Sequence, residues 1–596
     1  MKRHHSQIFR VNVALVAIVI TYFIGIFYQK KTVTPVSTTS ILSSSRNHSH
    51  HNRSVIATAH AKSARNPFIP SAPTSAFLPP RITASFPAPL DHPSDEELHF
   101  FPGAHVVESQ EIAGPKPHQN TRLRILQTDF KYPYIRTEEI IDTTSGCIIT
   151  RQEMAADHLL VTLADEQEPM TLLKNLGSLA ISIKQVTPDA PLYQVNLSSS
   201  SLESLPQALD QLATSEMIAS MSGPDFICKA TTIPNINSFY ENWNSWWSWK
   251  FDQPTIQNTS FPTTKKNQLN NSAPIVAVID SGIRYTHHNL APNMWCNPSP
   301  TYGDTYGWNA YDNNGNPMDD DGHGTHCAGI IGGTSDNYFR VAGIAPHVQL
   351  MACKYLNTDG VGISSDAIQC IDYARRHGAQ ILNNSWCSEG GFDFSLLSAI
   401  FRARLAGIIF VTAAGNESVN SDLCPIYPAC YGLDNIVAVA ATTWDDKLAP
   451  FSNYGSKTIH LAAPGVDITS TYADSNTSYA ICSGTSMAAP FVSGTFALLK
   501  DQFPDQPYDT LITTLLNTTD KIPSLEGKII AGRLNIPKAL EALLKLSPPA
   551  VPESSTTWYS YSTNCYHWWN KEIFQPLGEV TGKFVELLFV QPADEN

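Results

Sequence analysis

The 11 cysteines of this 596-residue chain include no CxxC pair, which argues against zinc ribbons and thioredoxin-type redox motifs. Charge is sparse, at 15% of residues, and has no basic excess: 39 Lys and Arg stand against 53 Asp and Glu, a net charge of −14. No nucleic-acid partner is expected, because phosphate neutralisation needs basic surface. Glycine, at 32, is outnumbered by proline, at 41, a balance that points to long linkers. What the chain does have is apolar. Hydrophobic residues at 42% exclude a disordered acidic chain and a coiled coil. The length leaves room for roughly four domain-sized segments.

Residues 11–28, VNVALVAIVITYFIGIFY, are almost wholly apolar, with Lys2, Arg3 and Arg10 before them and Lys30 and Lys31 after. As a helix the run spans about 27 Å, enough to cross a bilayer core. One reading is an uncleaved anchor with a short basic cytoplasmic flank; the other is a secretory signal with a long apolar region. The nearest small-x-small site, Ala59–His60–Ala61, lies far beyond the run. Both readings export the rest of the chain. Residues 1–31 are thus a membrane anchor or signal segment. Residues 32–118, with strings such as SILSSSRNHSHHNRS and PFIPSAPTSAFLPP, are expected to be a disordered Pro/Ser-rich tether. His48, His50 and His51 are read as part of that solvated spacer.

Over 119–230 the pattern becomes that of a small α+β region. Residues 122–141 and 147–152 flank a turn signal, Asp142 to Gly146. HLLVTL (158–163) predicts a strand and Glu168 to Leu176 a helix. AISIKQV and LYQVNL predict two strands around the turn at Pro188–Pro191. Ser201 to Met217 predicts a helix with Leu202, Leu205, Leu209 and Leu212 on one face, and Met217 to Ile227 a last strand. Strand–helix–strand–strand–helix–strand is the ferredoxin-like order, which by itself carries no function.

A Trp-rich linker fills 231–272. Over 273–545, apolar strands such as IVAVID, GIIFVTAAG and NIVAVAAT alternate with helical segments. This predicts an α/β domain whose parallel sheet is covered by helices on both faces. Residues 546–596 form a tail of unassigned role with an aromatic cluster, WYSYSTNCYHWW.

Three strings in the α/β region carry chemistry together. Asp280 ends the strand IVAVID, where open α/β sheets place active sites. His323 lies in DDDGHGTHCAGIIGG and Ser486 in SGTSMAAPFVSG. Taken singly, each has a plain reading: a turn aspartate, a solvated histidine, an N-cap serine. Together they supply what a serine nucleophile needs, a base to take its proton and a carboxylate to orient that base.

The strings VAVIDSGI, DGHGTHCAGI and SGTSMAAPFVSG resemble the catalytic signatures of the subtilisin-like serine proteases. The Asp…His…Ser order is the one known for subtilisin. The resemblance covers about 273–545 and implies a subtilisin-like fold in which Asp280 orients His323, His323 acts as base and acid, and Ser486 attacks a peptide carbonyl. His326 is then a packed helix residue. FVTAAGNES resembles the family's oxyanion segment, which implies that Asn416 donates its amide to the developing oxyanion beside the Ser486 N–H. Asn384 to Ser388 resembles the substrate-binding strand, with Ser385, Trp386 and Cys387 facing an extended peptide; Cys387 and Ser388 depart from the family's glycines. Ala413, Ala414 and Gly415 are expected to form a pocket wall, and Glu417 to lie at the pocket base. Residues 158–230 resemble an inhibitory propeptide, which makes the chain's own propeptide an intramolecular partner. Asp312, Asn314 and Asn316 match loops that bind structural calcium in some relatives, a solvated turn being the other reading. No cofactor is expected for catalysis. Cys327 is expected to be a buried thiol, and Cys424 and Cys430 flank a short loop that a disulfide could close.

The function this implies is an exported, self-processing serine endopeptidase. Two other classes compete. A catalytically silent relative acting as a binding protein would be expected to have lost one of these residues. An esterase with the same triad would be expected to carry a GxSxG elbow, whereas Ser486 lies in GTSMA.

Overall fold

The computed structural model describes residues 92–164, 167–214, 219–231, 233–234, 273–334, 341–388 and 390–546. The apolar run 11–28, residues 235–272 of the Trp-rich linker and residues 547–596 of the C-terminal tail lie outside the described residues. Among the described residues no helix is long and apolar enough to cross a membrane.

Order begins earlier than the sequence pattern indicates. Helix α1 (Asp95–Phe100) is held by a capping box. The Glu97 N–H donates to the Ser94 hydroxyl at 3.2 Å, and the Ser94 N–H donates to the Glu97 carboxylate at 2.7 Å. Strand β1 (His105–Ala113) pairs antiparallel with β2 (Gln119–Gln127). The tether expected over 32–118 is therefore wrong for 92–118. β1 is an outer strand, exposed along almost its whole length, so it needs no apolar alternation. The single expected segment 122–141 is two strands: β2 and β3 (Tyr134–Asp142) are antiparallel.

β4 (Ile148–Leu163) opens the ferredoxin-like unit. It continues through α2 (Met170–Leu176), β5 (Ala180–Gln185), β6 (Leu192–Leu197), α3 (Ser204–Ala213) and β7 (Ala219–Ala230). The strands lie in the order β5, β6, β4, β7, all antiparallel. The helix is shorter than the expected Ser201–Met217: Leu205 and Leu212 are buried against Leu159, Val161 and Val195 with Leu209 packed beside them, while Leu202 precedes the helix and packs with Ile125 and Ala156.

The second layer system is a seven-stranded sheet. After the two-residue β8 (Ile233–Pro234), its members are β9 (Ile275–Asp280), β10 (Gly307–Asn309), β11 (Gln349–Lys354), β13 (Ile381–Asn384), β15 (Ile409–Ala413), β16 (Ile436–Thr442) and β17 (Leu461–Pro464). All neighbours in it are parallel. Helices α4 (His323–Gly332) and α7 (Thr485–Gln502) cover one face, where Val276, Val278 and Val411 meet Ile331, Met487 and Val492. Helices α5 (Ser364–Arg376) and α6 (Phe394–Leu405) cover the other, where Ala277, Ile279 and Phe410 meet Ile368, Ile371, Leu396 and Ile400. Burial on both faces explains why these strands read as continuous apolar runs. Two short strands, β12 (Val361–Ile363) and β14 (Trp386–Ser388), stand outside this sheet and pair with β7. β18 (Ile468–Thr471) and β19 (Tyr479–Ser483) form a hairpin, and helices α8 (Tyr508–Asn517) and α9 (Ile536–Leu546) complete the domain.

The N-terminal module packs on the α5–α6 face, with Leu160, Val186, Leu192 and Cys228 in the same apolar cluster as those helices. The Asp225 carboxylate accepts the Ser365 N–H at the start of α5, at 3.0 Å. His158, fully buried, lies 2.6 Å from Asp157 and 3.1 Å from Asp225. Burial pushes its pKa down, but the bonds to Asp157 and Asp225 and their charges outweigh this and raise it from 6.5 to about 9. A raised histidine contributes stability that is complete below its unfolded pKa and is lost as pH rises through the folded one. The docked module should therefore loosen between about pH 7 and pH 10. Thermal melts of the full chain carrying Ser486→Ala should show a steeper loss of Tm over that range than the same chain with His158→Asn. Equal slopes would show that His158 does not hold the module.

Candidate active site

Asp280 closes β9, His323 opens α4, and Ser486 is the second residue of α7. The three meet because the parallel sheet brings the end of β9 beneath the starts of two helices packed on one face. Gly324 makes the approach of α4 possible: a Cβ there would lie 2.1 Å from the Gly282 carbonyl oxygen and 3.1 Å from the Asp280 side chain. Gly322, with φ of 114°, would drive a Cβ into the Tyr472 ring, so both flanks of His323 require glycine. Behind them sits a residue the sequence reading missed. Lys354, which ends β11 opposite Asp280, is buried and donates to the Ser281 and Leu356 carbonyls at 2.8 and 2.7 Å and to Asp320 at 2.6 Å. It pins the loop after Asp280. Its signal was a lysine closing an apolar strand, VQLMACKYL.

His323 Nδ1 lies 2.6 Å from Asp280 Oδ1, which also accepts the Ser281 N–H at 2.7 Å. Burial pushes the His323 pKa down, but the Asp280 charge and hydrogen bond raise it above 6.5 on balance. His323 Nε2 makes no hydrogen bond among the described residues. The Ser486 hydroxyl instead donates to the Ser385 carbonyl at 2.7 Å and lies 2.5 Å from the Thr231 hydroxyl. No serine–histidine hydrogen bond is made, and the chain itself occupies the cleft beside Ser486.

That filling segment is the end of β7. Ile227, Cys228 and Lys229 pair with β12, and Cys228, Lys229 and Ala230 pair with β14. The cleft strand thus lies antiparallel between two strands of the α/β domain, as a peptide bound by strand addition does. The Ala230 N–H donates to the Gly360 carbonyl at 2.9 Å, and the Thr231 N–H to the Ser385 carbonyl at 3.3 Å. The Thr231 carbonyl oxygen accepts the Asn416 side-chain N–H at 2.8 Å. On the far side, the backbone of Ile233 and Pro234 pairs with Ser483 and Cys482. The sequence did not single out Thr231; it lies within Cys228–Pro234, the stretch where the propeptide-like pattern ends and where self-cleavage is expected.

Asn416 does not point at Thr231 by chance. Its Oδ1 accepts the Thr485 N–H at 2.9 Å and the Thr485 hydroxyl at 3.0 Å, which leaves the amide N–H groups to face the cleft. The only sequence signal for Thr485 was its place beside Ser486. The remaining expected residues divide. Ser385 contributes its carbonyl to the cleft strand, and its hydroxyl donates to the Ser486 carbonyl at 2.9 Å. Trp386 and Cys387 pair with the cleft strand through backbone, while the Trp386 indole turns inward to the Ile279 carbonyl at 3.0 Å. Ala413, Ala414 and Gly415 are fully buried behind Asn416. Glu417 is not at a buried pocket base. The chain turns outward after Asn416, with Ser418 at φ of 60°. Glu417 is exposed, its carboxylate accepting the Asn453 amide at 2.5 Å.

Asp312, Asn314 and Asn316 do not converge on a cation. Asp312 accepts the Asn309 amide at 2.9 Å, Asn314 accepts the Asn316 N–H at 2.8 Å, and Asn316 accepts the Tyr285 hydroxyl at 3.0 Å. One side-chain oxygen of each residue is taken by a protein donor, as the turn reading of this loop implies. Cys327 is buried, its thiol donating to the Ser486 carbonyl at 3.5 Å. Burial raises its pKa well above 9, so it is a neutral thiol beneath the serine. Cys424 and Cys430 are separate thiols.

Residues 271–537 match the Subtilase family of peptidases. Thermitase of Thermoactinomyces vulgaris is 35% identical over 266 residues, which cover 45% of this chain and 88% of that protein. The chain belongs to the subtilase family. Subtilisin-like protease 2 of Plasmodium falciparum is 35% identical over 270 residues, 44% of this chain. The chain spans only 20% of that relative's length. The crystal structure of fervidolysin from Fervidobacterium pennivorans aligns with a TM-score of 0.51 at 22% identity, over 65% of this chain and 61% of that one. It shares the fold with this subtilase.

Two outcomes follow from the site. With the Asp280 charge and hydrogen bond raising His323 above 6.5 against the effect of burial, and the imidazole required neutral as a base, the acid limb of kcat/KM should have its midpoint above pH 6.5; a midpoint below that value would mean that burial outweighs Asp280 once the cleft is open. Thr485→Val, which removes one of the two bonds that orient Asn416, should lower kcat by about tenfold, less than the about 10²–10³ expected for Asn416→Ala. A Thr485→Val enzyme with unchanged kcat would show that Asn416 needs no such hold.

Proposed function

We propose that this subtilase is an exported serine endopeptidase, made as a zymogen that cuts its own Thr231–Thr232 bond. The observation that carries the reading is the Thr231 carbonyl oxygen on the Asn416 amide, at 2.8 Å, next to the Ser486 hydroxyl. Ser486 Oγ attacks the Thr231 carbonyl carbon and passes its proton to His323 Nε2. Asp280 holds the imidazole in the tautomer that accepts that proton and balances the charge it gains. Asn416 Nδ2 and the N–H of Ser486, in the first turn of α7, stabilise the oxyanion. Collapse breaks the Thr231–Thr232 bond, and His323 protonates the departing Thr232 amine. Water then hydrolyses the Ser486 ester, which leaves a new C-terminus at Thr231 and restores the serine.

In this reading the described residues up to Thr231 are the propeptide and occupy the cleft as an inhibitor, and residues 273–546 are the protease. Substrates are proteins or peptides that enter extended between Gly360–Ile363 and Ser385–Ser388. The residue before the cut is small or polar, as Thr231 is, rather than large and aromatic. Export rests on residues 11–28, which precede every folded segment whether they stay as an anchor or are removed. With an anchor retained, self-cleavage also frees the protease from its tether. Catalysis uses no cofactor.

Intact-mass and N-terminal analysis of the purified chain tests the reading. Wild type should yield a mature N-terminus at Thr232, and Ser486→Ala should remain joined across that bond. Cutting of the Ser486→Ala chain at Thr231–Thr232 in a protease-deficient host would assign the step to another enzyme. The silent-relative reading predicts no cutting in either form.

A further inference from the structure

Hydrolysis at Thr231 would break the backbone between the N-terminal module and the protease, so whatever holds them together afterwards decides when activity appears. The ferredoxin-like unit places the cut strand in the cleft. A second contact lies beside the cleft and comes from outside that unit, from the tip that joins β2 to β3.

The tip is Phe130–Lys131–Tyr132. Lys131 Nζ is 3.0 Å from Asp366 Oδ2 and donates to the Ala310 carbonyl at 3.4 Å. It lies 5.2 Å from the centre of the Tyr311 ring and 5.0 Å from that of Tyr132, close enough for cation–π attraction to both. Phe130 packs at 6.1 Å from Tyr311 and 5.8 Å from Tyr132. Phe130 and Tyr132 share one apolar cluster with Val361 and Ile363 of the protease and with Ile227 of the cut strand. Asp366 is 1% exposed and sits in the first turn of α5; a buried carboxylate of this kind calls for a cation. β12 therefore has two tasks at once. Its backbone pairs with the cut strand, and Val361 and Ile363 pack against the tip.

Buried ion pairs tie the two contacts together within the module. Arg122 pairs with Glu139 at 3.2 Å, and Arg124 with Glu97 at 2.6 Å and Glu139 at 3.5 Å. Arg151 pairs with Glu97 at 3.0 Å and with Glu153 at 2.6 Å, and Glu153 lies 2.9 Å from Lys229, two residues before Thr231. The meander that carries the tip is thus joined through charge to the strand in the cleft.

We infer that Ala310, Tyr311, Val361, Ile363 and Asp366 form a second docking surface on the protease, one that fits an aromatic–lysine–aromatic hairpin tip and keeps the N-terminal module bound after Thr231–Thr232 has been cut. The inference rests on the zymogen reading and adds to it. The cleft alone does not set the lifetime of the inhibited complex; the tip, about a hundred residues upstream of the cut, sets it as well.

The test uses the full chain, allowed to process itself, in three forms: wild type, Lys131→Ala and Asp366→Asn. Gels follow the cut, size exclusion follows whether the fragment ending at Thr231 co-elutes with the protease, and a short chromogenic peptide follows the lag before activity. All three should be cut at the same bond. In both variants the fragment should leave about tenfold faster or more, the scale of one buried charge-assisted contact, and the lag should shorten to match. Asp366→Asn alters the protease side and leaves the module's own fold untouched. If only Lys131→Ala releases the fragment faster, the effect is misfolding of the module, and the docking surface is refuted. Unchanged release in both variants refutes it too. Failure of wild type to be cut refutes the zymogen reading itself, and the inference with it.

Discussion

The hydrogen bond from the Asn416 side chain to the Thr231 carbonyl joins the parts of this molecule that matter most. It can form only if three conditions hold together. Thr485 must fix the Asn416 amide so that its N–H groups face the cleft. β7 must run antiparallel between β12 and β14 in a register that brings residue 231, and no other, to the site. The parallel sheet must set Asp280, His323 and Ser486 around the same carbonyl. A slip of one residue in the cleft strand would turn every side chain to the opposite face and move a different carbonyl onto Asn416. The buried side chains at Ile227 and Cys228, each fully enclosed, prevent that slip.

The charges of the N-terminal module serve the same end. A buried ion pair gains little over an apolar packing of the same volume, but breaking one leaves an unpaired charge at a penalty of about 3–5 kcal/mol. The arginine–glutamate pairs that reach Lys229 therefore specify position more than they add stability. Glu153 illustrates the balance: burial raises its pKa, but Lys229 and Arg151 outweigh this and lower it to about 2. It stays ionised as long as the cleft strand is in place. The Ser486 hydroxyl is held by the Ser385 carbonyl and the Thr231 hydroxyl, and His323 Nε2 has no hydrogen-bond partner among the described residues.

Much of this was legible in the sequence, and the reasons are physical. Asp280, His323 and Ser486 stand in strings whose neighbours are dictated by contact: Gly322 and Gly324 because a side chain at either would collide, IVAVID because its strand is covered on both faces. The ferredoxin-like order was legible from the α3 leucine stripe and the strand pattern. What escaped detection were features that depend on tertiary partners. β1 has no apolar face because it lies outermost. Thr231 gains its meaning only from the carbonyls and amide around it. Lys354 and Thr485 act by pinning a loop and an amide, roles that leave no periodicity. Glu417 and the Asp312 loop were carried over from the resemblance: Glu417 is exposed on an outward turn, and in the Asp312 loop one oxygen of each side chain accepts a protein donor.

The central claim is that Ser486 is a nucleophile masked by the chain's own Thr231. Labelling with a fluorophosphonate, followed by peptide mapping, tests it most directly. Uncut chain should take little label, and processed protein freed of its N-terminal module should take about one label per molecule, on Ser486. Label on another residue, or equal labelling of Ser486 in the uncut and processed forms, would contradict it.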